Sequence, residues 1–386
     1  MPIGYLWSVA VPAIAVMLAL APLRRTWALG QLSWRLGFQV NELPFLVALW
    51  VTAATAQAAV QGDLATVVGL VGASLAMSTI AGLAVVVRRS LRAGPVVVTA
   101  LRDGLGEGWA DDLGWLPRVS LPWAPIVLAP LSRWPRDVVR SRNLAYGDAG
   151  PQNLLDVYHR RDRGSSRPCL VHFHGGGYRR GRKSREARAL ILRLAAQGWV
   201  CVSANYRLSP RVGYPAPLVD AKRVIAWVRE RAPEYGIDAG SIFVAGSSAG
   251  AHLAAMVALT PGSISLQPGF ENADTTVAGA ICLYGFYGSP EWIACVEDAP
   301  SAPVEEIRAA VPPFLIAHGD KDSFVPVDGA RDFAARCRAT SDAPVVYVEL
   351  PGAQHTFDLY HSIRFESVVN GVEAFTAWVR SSADVA

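Results

Sequence analysis

Residues 64–87 run without a single charged side chain and end at Arg88 and Arg89, which limits what the start of this chain can become. At about 1.5 Å per helical residue the run can cross a hydrocarbon core of about 30 Å. Residues 3–23 form a second uncharged run, and residues 43–60 a shorter one softened by Thr52, Thr55 and Gln57. The expectation is a membrane region over residues 1–92 with about three transmembrane helices. A cleaved signal peptide fits poorly, because residues 1–5 carry no Lys or Arg and further apolar runs follow. Ser74, Ser78 and Gly82 recur every four residues. Two readings stay open: a small-residue face for close helix packing, or a chance spacing in a segment rich in Ala, Gly and Ser.

Arg24, Arg25 and Arg35 follow the first run, residues 61–63 join the other two, and Arg88, Arg89 and Arg92 follow the last. Basic flanks favour the cytoplasm. The expected topology puts the N-terminus and residues 61–63 outside and the remainder of the chain on the cytoplasmic side of a cell membrane. The chain is 52% hydrophobic and 18% charged, against about 45–50% and 25% for soluble domains. The excess sits before residue 90. A net charge of +4 without a basic stripe excludes a nucleic-acid surface. Cys169, Cys201, Cys282, Cys295 and Cys337 show no metal-ligand or disulfide spacing. They read as reduced thiols, mostly in the core.

Residues 93–137 are Pro- and Trp-rich, with Trp109, Trp115, Trp123 and Trp134 close together. They are expected to form either a lid between bilayer and catalytic mouth or a linker packed on the following domain. From residue 138 the pattern changes to short apolar runs alternating with amphipathic stretches. Strands are expected at 138–146, 153–158, 168–173, 199–204, 241–245, 277–284, 313–317 and 345–350. Helices are expected at 184–197, 217–232, 249–259, 328–339 and 367–380. Alternation of this kind predicts an α/β domain over residues 138–386 with a mostly parallel sheet.

Gly246-Ser247-Ser248-Ala249-Gly250 matches G-x-S-x-G directly between an expected strand and an expected helix. Small residues there permit a sharp turn that exposes the Ser248 hydroxyl at the carboxyl end of the sheet. Ser247 is expected to bond locally. A serine hydroxyl needs a base to take its proton. His355, after the last strand and a Pro351-Gly352 turn, is the preferred base, with His361 as runner-up. His252 reads as a packing or surface residue, and His318 as a group that orients the loop after it. That loop, following the strand at 313–317, offers Asp320 and Asp322 as the acid that holds the imidazole. Asp322 is preferred on loop position, while Asp320 reads as a turn residue and Asp328 as a helix cap. His174-Gly175-Gly176-Gly177 follows the strand at 168–173. Glycines there let backbone N–H groups of Gly175 and Gly176, with that of Ala249, face an oxyanion.

These motifs, with Asn205-Tyr206-Arg207 and His318-Gly319-x-x-Asp322 ahead of Val325-Pro326, resemble the hormone-sensitive-lipase-like branch of the α/β-hydrolases. The chain is particularly similar to actinobacterial membrane-anchored esterases or lipases. The resemblance spans about residues 140–380. It implies an α/β-hydrolase fold with an eight-stranded sheet, and a catalytic triad of Ser248 as nucleophile, His355 as base and Asp322 as its acid. Gly175, Gly176 and Ala249 would form the oxyanion hole. The implied activity is that of a serine carboxylesterase needing no metal or organic cofactor, acting on short- to medium-chain lipophilic esters or acylated lipids beside the bilayer. Tyr178, Tyr206, Tyr284, Phe286 and Phe324 are candidate pocket residues, or simply packing. Arg179, Arg180, Arg182 and Lys183 would put positive charge at the mouth, or merely begin a solvated helix. An amidase or peptidase with the same triad, and a non-catalytic membrane scaffold, are the alternatives.

Overall fold

The computed structural model describes residues 2–113, 120–131, 134–162, 164–295 and 299–383; Trp115 lies outside them. Eight strands form one sheet: β1 (Val138–Ala145), β2 (Leu154–Arg160), β3 (Arg167–Phe173), β4 (Val200–Ala204), β5 (Ile237–Ser247), β6 (Gly279–Leu283), β7 (Phe314–Gly319) and β8 (Val345–Leu350). Their order is β1-β2-β4-β3-β5-β6-β7-β8. β2 pairs antiparallel with β1 and β4, and every other pairing is parallel. The eight strands match the expected runs, with β5 starting earlier at Ile237. Every residue of β3, β4, β6 and β7 is buried, because helices cover both faces of a parallel sheet.

The strand period of two divides the core. Val171 and Val244 point to one face, where helices Ala216–Glu230, Ala249–Leu259 and Asp328–Thr340 supply Leu218, Leu253 and Phe333. Leu170 and Phe243 point to the other, against Leu190 of Arg188–Ala196 and Phe365 of Ile363–Ala383.

The amino-terminal region is helical. α1 (Pro2–Leu20), α2 (Trp27–Glu42), α3 (Pro44–Val60), α4 (Val67–Ser90) and α5 (Ala93–Leu105) follow in order. α1 and the stretch Val67–Leu105 are long and apolar enough to cross a membrane, while α2 and α3 meet at an 88° bend. Of the two readings open for Ser74, Ser78 and Gly82, the exposure of both serines favours the chance spacing. Ser74 and Ser78 face outward and return their hydroxyls to Leu70 O and Ser74 O at 3.0 Å. The close contacts come from Gly72, where a Cβ would sit 2.7 Å from the Tyr5 ring, and from Gly82, where it would meet Val16 at 2.5 Å.

α5 falls in the segment expected as lid or linker, and it packs into the sheet's second face through Val97, Ala100 and Leu101. Gly104 lies so close to β8 that a Cβ would be 2.7 Å from Val345 O. Trp109 is buried in the same cluster. Trp134 donates to Val138 O at 2.7 Å, and Trp123 meets Phe45 edge-on.

Candidate active site

Ser248 stands between β5 and helix Ala249–Leu259 with φ 56° and ψ −117°. A non-glycine residue accepts such a backbone only where its surroundings force it. Here the neighbours do so: a Cβ on Gly246 would lie 2.0 Å from Gly250 O, and one on Gly250 would lie 2.0 Å from Phe173 O. The Ser248 N–H is held by Leu283 O at 2.9 Å. The first N–H groups of the helix, Ala249 included, have no partner within it.

Ser248 Oγ lies 2.9 Å from His355 Nε2, and His355 Nδ1 lies 2.7 Å from Asp322 Oδ2. A carboxylate only accepts, so Nδ1 carries the proton and Nε2 is free to accept from the serine. Asp322 Oδ1 takes the backbone N–H groups of Phe324 and Val325 at 2.9 and 2.8 Å. Burial alone would raise the Asp322 pKa, but the imidazoles of His355 and His318 hold it below the usual carboxylate range. His318 Nε2 donates to Val325 O at 3.0 Å and approaches Asp322 Oδ2 at 3.3 Å, fixing the acid loop as expected. Asp320 accepts the Gly352 N–H at 2.6 Å and so ties down the turn after β8. His361 is elsewhere, paired with Glu366.

The glycine loop after β3 crosses directly in front of the serine. A Cβ on Gly175 would sit 3.2 Å from Ser248 Cβ, and one on Gly176, at φ 129°, would sit 1.9 Å from Arg180 O. His174 lies behind this loop. Its Nδ1 donates to Gly175 O at 2.8 Å, its ring stacks on Tyr206 at 4.4 Å, and burial lowers its pKa to about 4.

Beneath the serine is a buried polar group with no sequence motif of its own. Ser247 does not bond locally. Its hydroxyl donates to Asp358 Oδ2 at 2.5 Å and lies 3.0 Å from His172 Nε2. Tyr284 donates to the other Asp358 oxygen. Glu186 receives the Gly175 N–H at 3.4 Å, and burial, then the Asp358 charge, raises its pKa to about 8.

The aromatic candidates divide. Tyr178, Tyr206 and Tyr284 are fully buried, with hydroxyls committed to His252 Nδ1, His174 O and Asp358. As pocket walls they are corrected to scaffold. Phe286 and Phe324 remain partly exposed, the latter 5.0 Å from the His355 ring. Among the four basic residues, Lys183 turns inward to Asp156 at 2.5 Å and Arg179 reaches Trp292 O. Arg180 and Arg182 stay exposed, and no helix begins before Arg188.

The family model BD-FAE matches residues 155–288. Over 98% of its length the chain is 36% identical to a Mycobacterium tuberculosis protein named "Probable carboxylic ester hydrolase LipM", covering 93% of it. It is 37% identical to Esterase LipQ of the same organism, over 74% of each chain. Thermogutta terrifontis esterase 2, solved after phosphonylation by cyclosarin, superposes with a TM-score of 0.50 at 29% identity, over 56% of this chain and 84% of that one.

Proposed function

Since this chain belongs to the α/β-hydrolase superfamily and is a carboxylic ester hydrolase, akin to those mycobacterial esterases, we propose that it works by a serine mechanism from a membrane anchor. Ser248 Oγ attacks the ester carbonyl while His355 Nε2 takes its proton, and Asp322 stabilises the imidazolium that forms. The carbonyl oxygen becomes an oxyanion facing the N–H groups of Gly176 and Ala249, because the Gly175 N–H, expected as a third donor, is turned to Glu186. Collapse expels the alcohol, which leaves with the proton from His355. Water, deprotonated by His355, then adds to the acyl-serine, and the carboxylic acid departs as Ser248 regains its proton. The observation that carries this reading is the unbroken relay of 2.9 and 2.7 Å contacts from Ser248 through His355 to Asp322.

On this reading residues 1–92 anchor the chain through α1 and the helices up to Arg92, and residues 138–386 form the catalytic domain on the cytoplasmic side. The substrates are lipophilic esters or acylated lipids of short to medium chain, drawn from the adjoining bilayer. Fluorophosphonate labelling of the wild type but not of Ser248→Ala, with peak rates on p-nitrophenyl esters of intermediate length, is the expected result. Labelling that survives Ser248→Ala, or a preference for the longest chains, contradicts it.

A further inference from the structure

α2 packs on α1, where a Cβ on Gly37 would lie 3.2 Å from Ala19 N, and it also lies on the two loops that carry Asp322 and His355. Ser323 Oγ donates to Gly30 O at 2.9 Å, and a Cβ on Gly30 would lie 2.3 Å from Ser323 O. Helix backbone therefore touches loop backbone. One turn on, Trp34 Nε1 lies 3.2 Å from His355 O and 3.1 Å from Thr356 Oγ1. The indole stacks on Phe324 at 4.9 Å and meets the His355 ring edge-on at 5.9 Å. At the end of α2, Arg364 donates to Asn41 O at 2.9 Å.

The loop under Trp34 needs such a clamp. Thr356 holds φ 64°, a region that a β-branched residue enters only when its environment leaves no alternative. Thr356 Oγ1 also donates to His355 O at 2.6 Å, so the indole N–H closes a small ring of polar contacts around the peptide that aims the imidazole. A displacement of about 1 Å at such a peptide can cost about a hundredfold in rate.

We propose that Trp34 is a positioning residue, which fixes the His355–Thr356 peptide and makes the first amphipathic helix part of the catalytic unit rather than of the anchor alone. The proposal rests on the triad reading above. The test uses the full chain in detergent micelles, with p-nitrophenyl acetate as substrate. Rates are expressed per fluorophosphonate-titrated serine, so that a misfolded fraction does not count. Trp34→Phe keeps a ring on Phe324 and removes the N–H; kcat is expected to fall about five- to tenfold with KM within about twofold. Trp34→Ala should fall further, and if it does not fold, the phenylalanine variant decides. Wild-type kcat in Trp34→Phe overturns the proposal, as does a raised KM at unchanged kcat, which would mean substrate contact instead. Full activity in Ser248→Ala would overturn the triad reading itself, a separate outcome.

Discussion

Asp322 holds His355 through one carboxylate oxygen and the peptide backbone through the other. Oδ2 faces Nδ1 at 2.7 Å, while Oδ1 accepts from Phe324 and Val325. The acid is thus oriented before it orients anything else. Its depressed pKa gives a stabilising term present above the ordinary carboxylate pKa of about 3.9. That term is lost only as pH falls through the lowered value.

Asp322→Asn should leave the fold intact, because an amide oxygen can still accept the two backbone N–H groups. Its NH2 would face Nδ1 and favour the tautomer that cannot take the Ser248 proton. A drop of about 10³–10⁴ in kcat is expected, read by ester turnover alongside an unchanged melting curve.

Glu186 supplies a pH signature of opposite sign. With a folded pKa of about 8 against about 4.3 unfolded, the unfolded chain loses this proton first. Stability therefore falls as pH rises from about 4.5 to 8, by at most about 1.4 kcal/mol per pH unit. Glu186→Gln should flatten that slope in denaturant titrations at pH 5, 6, 7 and 8. An unchanged slope would show the carboxyl to be ionised.

His252 lies inside the domain with Nε2 donating to Gly288 O and Ser301 O, so Nδ1 must accept, and Tyr178 OH donates to it at 2.6 Å. Burial lowers the His252 pKa to about 4, in keeping with a neutral ring. Tyr178→Phe strands a buried acceptor and should cost about 1–3 kcal/mol, with KM unchanged because the hydroxyl faces inward. A KM rise would return Tyr178 to the pocket.

Arg364 is a fully buried guanidinium that donates to Pro351 O and Asn41 O and pairs with Glu42 Oε1 at 3.4 Å. Arg364→Met leaves Glu42 buried without its cation and should cost about 3–5 kcal/mol. Adding Glu42→Gln should recover part of the loss. Additive losses in chemical denaturation would mean that the two groups are not coupled.

The sheet and the catalytic constellation were legible for the same reason: both are written in local patterns. β-branched runs mark the strands, and Gly246 to Gly250 and His174 to Gly177 mark two turns at the same sheet end, where the loops bearing Asp322 and His355 also arrive. α2 was not legible in that way. The residues it turns to the catalytic loops are Gly30 and Trp34, while Ser33 and Gly37 turn to Leu23 and Ala19; two such residues make no apolar stripe of the kind that identifies a packed helix. Its one arginine, Arg35, reads only as flanking charge. The Ser247, His172 and Asp358 cluster is hidden for another reason. Its members come from three distant segments, and only packing brings them together. Full burial of Tyr178, Tyr206 and Tyr284 likewise depends on neighbours that no single stretch of sequence names.

The contact between Gly250 and Phe173 O, with Gly175 pressed against Ser248, locks the serine turn and the glycine loop together. Neither can be exchanged alone. A chimera that imports one of these loops from a relative would keep its register only by importing the other, so the transplantable unit for redesigning this hydrolase is the pair.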